Sequence, residues 1–189
     1  MKMEYLKYFQ YNSVLILSYF FISLFALILN NITHGKSNKV FFSSYRSSGF
    51  NPLTYLRLFT HSIGHENWQH LSNNFLYILL IGPMLEEKYG TMNLLIMFVL
   101  TSGVTGILNS LMSENTIMGA SGNVYMLIIL SSFVNIQAGK IPVTLVLIFL
   151  FYILNEIFAG MFKTKRDRVS HLGHLIGAAC GCIYGFYLL

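Results

Sequence analysis

The chain has 189 residues, 54% of them hydrophobic and only 10% charged, with a formal net charge of +5. A soluble domain carries about 25% charged residues, so a soluble globular body is excluded. The positive charge lies in connecting segments and forms no basic stripe interleaved with aromatics, which excludes nucleic acid as a partner and suits anionic lipid headgroups.

Apolar runs of about 17 to 25 residues recur along nearly the whole length, the pattern of a polytopic all-α membrane protein. Six spans are predicted, at 11–31, 68–88, 92–112, 120–137, 142–161 and 171–189. The first follows Lys2 and Lys7, as a signal peptide would. It ends in Leu29-Asn30-Asn31 without a small-x-small cleavage site and reads as a retained span. Residues 32–67 are too long for a bare connection. They place Phe41, Phe42, Tyr45, Phe50, Tyr55 and Phe59 among polar residues, a mixture that suits the membrane–water interface. The other connections are short and no repeat is visible, so residues 1–189 read as a single membrane domain with no separate soluble domain. Cys180 and Cys182 point to nearly opposite sides of the last span and suit neither a disulfide nor a metal pair.

Polar residues inside spans are expensive and therefore functional suspects. His70 and Asn74 lie one turn apart near the start of the second span. Ser121, flanked by Gly119 and Gly122, opens the fourth, and His171 and His174 open the sixth. Even-numbered spans start on one side of the membrane, so these groups share one depth. Gly173, Gly177, Gly181 and Gly185 make a small-residue stripe that lets two helix backbones approach closely. A Ser–His hydrogen bond between helices needs such an approach. Taken alone the stripe is better explained by plain bundle packing; beside His174 it favours an active site.

A serine hydroxyl becomes a useful nucleophile once a base takes its proton, and neutral histidine is that base near neutral pH. The Ser121 amide sits at a helix N-terminus, where it can meet an oxyanion; His70 and Asn74 are side-chain donors. Glu66, Asp167 and Glu86 are not placed to complete a triad, so a Ser–His dyad is expected. Blander readings exist. Ser121 alone could be an N-cap, and His65, His70, His171 and His174 could form a metal site. No carboxylate or thiolate joins those histidines inside the spans, and a metal site would leave Ser121 without a role, so neither metal nor cofactor is expected.

These residues resemble the rhomboid intramembrane serine proteases. Gly119-Ala120-Ser121-Gly122 is similar to that family's GxSG motif, and His70 to Asn74 to its HxxxN motif. Gly173-His174-Leu175-Ile176-Gly177, with Gly181, is similar to its last-span motif. Tyr125 matches the tyrosine that packs on the catalytic histidine, and His65 another recurrent histidine. Gly82 to Glu86, with Gly90, resemble the end of the second span. The likeness covers roughly residues 50–189, and Leu56-Arg57 stands where the family often carries Trp-Arg.

The resemblance implies a six-transmembrane-helix bundle with a long interfacial first loop and an intramembrane serine endopeptidase activity. Ser121 would be the nucleophile, His174 the base, and His70, Asn74 and the Ser121 amide the oxyanion donors. Tyr125, His65 and Gly119 would support them. His174 is preferred to His171 because it carries the spacing to Gly177 and Gly181. Substrates would be transmembrane proteins, entering between spans 2 and 5 past Phe75, Leu79, Phe149 and Ile153. The setting would be a bacterial plasma membrane. The alternative is an inactive relative that binds membrane helices; a small transporter, hinted at only by Asn155 and Glu156, fits less well. The family topology puts the termini in the cytoplasm. The Lys and Arg balance, four on the terminal side against eight opposite, argues the reverse. The resemblance is preferred here, because the first loop can lie in the interface.

Overall fold

A computed structural model describes residues 13–134, 136, 140–141, 143–148, 150–151, 154, 158, 161 and 165–187, without the side chains of 148 and 165–170. The helices are α1 (Val14–Ile32), α2 (Lys36–Phe41), α3 (Pro52–Thr60), α4 (Trp68–Tyr89), α5 (Thr91–Met112), α6 (Ser121–Ser131), α7 (Val143–Ile148) and α8 (Lys165–Tyr187). Among the described residues there is no β-strand, and extended backbone pairs only at an isolated bridge between Ser44 and Ile117.

Spacing by three and four residues puts Ile16, Tyr19, Ser23, Ala26 and Leu27 on the inner side of α1. Phe21, Ile22, Phe25 and Ile28 are exposed on its other side. An apolar outer face is costly in water and natural in lipid. Among the described residues, α1 and α5 are long and apolar enough to cross a membrane by length and composition. The first amides of α1 have no intrahelical partner. Glu86, buried near the end of α4, supplies the acceptor: its carboxylate takes the N–H of Leu15 at 3.1 Å and of Ile16 at 3.2 Å. The same carboxylate accepts the Thr91 hydroxyl at 2.8 Å, tying α4 to the start of α5.

The Asn67 side chain caps α4 by accepting the His70 N–H at 2.9 Å. Between α4 and α5 stands Gly90, at φ +82°, a backbone turn that favours glycine. The long first loop contains α2 and α3. Its organiser is Arg57, 3% exposed, which donates to Ser47 Oγ at 2.8 Å and lies 4.3 Å over the Tyr45 ring. Leu56, its neighbour in the variant pair, is exposed. Leu71, Phe75 and Ile78 of α4, Leu94, Met97 and Phe98 of α5, and Val124, Leu127 and Leu130 of α6 form the core.

The glycine stripe of α8 seats α6. A Cβ on Gly177 would lie 2.0 Å from the Gly122 carbonyl oxygen, and one on Gly181 2.6 Å from that of Met126. A Cβ on Gly185 would strike the Phe133 ring at 2.4 Å. The close approach expected of small residues is therefore present at three successive turns. Helix α6 is shorter than the predicted 120–137 span. It ends at Ser131, whose hydroxyl donates to the Ile128 carbonyl at 2.7 Å, and a turn follows. Such side-chain bonds compete with the helical ladder. Of the predicted 142–161 span, α7 covers Val143–Ile148, and most of the remainder lies outside the described residues, including Phe149, Ile153, Asn155 and Glu156.

Candidate active site

Ser121 is the first residue of α6 and half-buried. The turn before it is fixed by its backbone. Gly119 adopts φ +115°, a conformation L side chains rarely take. A Cβ there would also lie 2.6 Å from His70 Nε2 and 3.6 Å from Asn74 Nδ2. Glycine is thus required twice over, and both side-chain nitrogens converge on the backbone two residues before Ser121. Asn74 holds its place by donating to the His70 carbonyl at 3.1 Å.

The segment between α3 and α4 holds the motif from beneath. The Gly119 N–H donates to the His61 carbonyl at 2.9 Å. The Ala120 N–H points to His65 Nε2 at 3.4 Å, while His65 Nδ1 lies 3.0 Å from the Ile63 carbonyl. The two contacts together assign the tautomer: Nδ1 carries the proton and Nε2 accepts. Burial, with the nearby His70 adding to it, pushes the His65 pKa down to about 4, so the ring is neutral at pH 7 and able to accept. Its ring stands edge-on to His70 at 5.1 Å. His61 is likewise pushed down to about 4 by burial, against a hydrogen bond between Nε2 and the Ser102 carbonyl at 3.1 Å.

His174 arrives from α8, one turn before the Gly177–Gly122 contact. Tyr125, one turn after Ser121, lies flat on it with ring centroids 4.4 Å apart and planes 9° from parallel. His171 stands perpendicular to His174, centroids 6.2 Å apart. A cavity of about 570 Å³ runs from the loop residues Glu66, Asn115 and Thr116 down to Thr101 and Asn123, and Ser121, His70 and Gly119 line it. Such a volume admits a peptide segment and water.

Ser121, His174, His70, Asn74, Tyr125, His65 and Gly119 thus lie around one end of the α4, α6 and α8 helices. The sequence reading passed over His61, Tyr19, Ser102, Thr105 and Asn123. Thr101, Thr105 and Asn109 recur every fourth residue on α5, all buried, and the expense of polar groups in a span marks such a stripe too.

A family model described as the Rhomboid domain matches residues 52–189. Among curated proteins, the chain is similar to Rhomboid-like protein 11, chloroplastic, of Arabidopsis thaliana, with 27% identity over 63% of this chain and 47% of that protein. It is similar to Rhomboid protease GlpG of Haemophilus influenzae at 25% identity, over 69% of this chain and 68% of the relative. Rhomboid-related protein 1 of Caenorhabditis elegans is 29% identical over 66% of this chain and 37% of its own length. The chain therefore spans less than half the length of the plant and worm relatives. The motif order, the helical frame that carries it and the match across most of the chain agree: the protein belongs to the rhomboid family.

Proposed function

We propose that the protein is an intramembrane serine endopeptidase that cleaves transmembrane segments through a dyad of Ser121 and His174. The observation that carries this reading is the backbone contact of Gly122 with Gly177, which draws α6 onto α8 within a turn of both side chains. Tyr125 stacks on the imidazole and restrains it. The six-span topology, with cytoplasmic termini in a bacterial plasma membrane, belongs to the same proposal. Cysteine-accessibility labelling at positions 140 and 165 tests the orientation.

As the Ser121 oxygen attacks a peptide carbonyl, its proton passes to the His174 ring. The negative oxygen is met by the Ser121 amide, His70 Nε2 and the second amide hydrogen of Asn74; the first is used on the His70 carbonyl. His174 then protonates the leaving amine, and an acyl-enzyme remains. Water then attacks the acyl carbon as His174 takes its proton; the ester bond breaks, and His174 returns the proton to the departing Ser121 oxygen. The cavity reaching the loops supplies that water. A transmembrane helix hides its peptide bonds, so segments with Gly, Pro or polar residues near the surface unwind most readily and are the expected substrates.

A fluorophosphonate probe is expected to label the wild type and not Ser121→Ala. His174→Ala should fold and lack cleavage of a single-span substrate, and Asn74→Ala should slow it by roughly tenfold to a thousandfold. A folded wild type that resists the probe would shift the reading to an inactive relative that binds membrane helices.

A further inference from the structure

Tyr19 carries a hydroxyl into the middle of a helix bundle, where an unpaired polar group is costly. Its ring packs on Phe75 and Phe98, each with centroids 5.3 Å away. The hydroxyl donates to the Ser62 carbonyl at 2.8 Å and accepts from Asn123 Nδ2 at 3.2 Å. The same Asn123 nitrogen donates to Ser102 Oγ, also at 3.2 Å, so both amide hydrogens are used.

These bonds close a ring beside the first turn of α6. Asn123 stands two residues after Ser121, on the first turn of α6. Ser62 follows His61, whose carbonyl holds the Gly119 N–H and whose ring is bonded to the Ser102 carbonyl. Helix α6 is only 11 residues long, and Ala120 offers its N-terminus no side-chain cap. The depth and rotation of its first turn must therefore be set by neighbours. The family match begins at residue 52, so Tyr19 lies outside it.

We infer that Tyr19 and Asn123 are positioning residues for Ser121. Tyr19 locks the first turn of α6, through Asn123, to the 61–65 segment that holds the Gly119 and Ala120 amides. The inference rests on the reading of Ser121 as nucleophile, and it extends the site to α1.

The test uses the full chain with Tyr19→Phe, Asn123→Ala and the double variant. Tyr19→Phe keeps the ring contacts and removes only the hydroxyl, so it remains informative if Asn123→Ala fails to fold. Each single variant is expected to lower kcat roughly tenfold, because reacting groups are misplaced; KM should stay within about twofold in Tyr19→Phe, whose hydroxyl does not line the cavity. The double variant should be no worse than the weaker single by more than about twofold, since both changes cut one network. Amide hydrogen exchange at Gly119 and Ala120 should quicken in Tyr19→Phe. Unchanged exchange, unchanged kcat, or effects that multiply in the double variant would each overturn the inference. A folded wild type that fluorophosphonate does not label overturns the nucleophile reading instead, and the exchange measurement still decides whether Tyr19 holds the motif.

Discussion

Tyr125 and His174 lie face to face, 4.4 Å apart and nearly parallel, although they belong to different helices. A stacked ring limits how far the imidazole can swing. Tyr125→Phe keeps the stack and is expected to retain kcat within about threefold. Tyr125→Ala frees the imidazole and should lower kcat roughly tenfold to a hundredfold, the range that misplacement of a reacting group produces. Steady-state cleavage of a single-span substrate measures both.

The glycines of α8 are not equivalent. A Cβ on Gly177 has no room, because backbone, which cannot rotate away, lies 2.0 Å from it. Gly177→Ala is expected to cost at least ~1–3 kcal/mol and to lower Tm. A Cβ on Gly173 would meet the Thr105 methyl at an ordinary 3.6 Å. Gly173→Ala should be neutral or gain up to ~1 kcal/mol from helix propensity. Thermal unfolding in detergent compares the two, and equal losses would count against the packing argument.

Acid should loosen the fold through the 61–65 segment. Burial holds His61 and His65 neutral, with pKa values of about 4 against the ordinary 6.5. Between pH 6.5 and about 4 the unfolded chain binds more protons than the folded one, so stability is full above that window and falls as the pH drops through it. The loss is about 2 kcal/mol per ring at pH 5. Tm should fall between pH 7 and pH 5, and fall less in His61→Asn; a Tm independent of pH across that interval contradicts the assignment.

Glu86 is expected to be a strong stability determinant away from the cavity. Its carboxylate serves two α1 amides and the Thr91 hydroxyl. Glu86→Ala leaves three donors without this acceptor and should cost ~2–4 kcal/mol, while Glu86→Gln keeps one oxygen and should cost less. Chemical denaturation of the two variants gives the ranking.

Much of this site can be read from the chain itself. Ser121, His70, Asn74 and His174 stand out because polar groups in spans are rare, and the Gly173–Gly185 stripe announces a close helix pair. The bounds of α4 and α5 agree with the predicted spans at 68–88 and 92–112. The stop at Ser131 is hidden in the sequence, because Phe133, Val134 and Ile136 continue the apolar run while the backbone turns after Ser131. The network of Tyr19, Asn123 and Ser62 was hidden for another reason: its members lie 43 to 104 residues apart, and no local pattern couples them.

The Glu86 carboxylate also bears on biogenesis. Helix α1 leaves the ribosome before α4, yet the acceptor for its Leu15 and Ile16 amides comes 71 and 70 residues later. Until the end of α4 has been made, those two amides lack this acceptor. The start of α1 is therefore expected to complete its hydrogen bonds only after α4 is in place, which couples the assembly of these two helices.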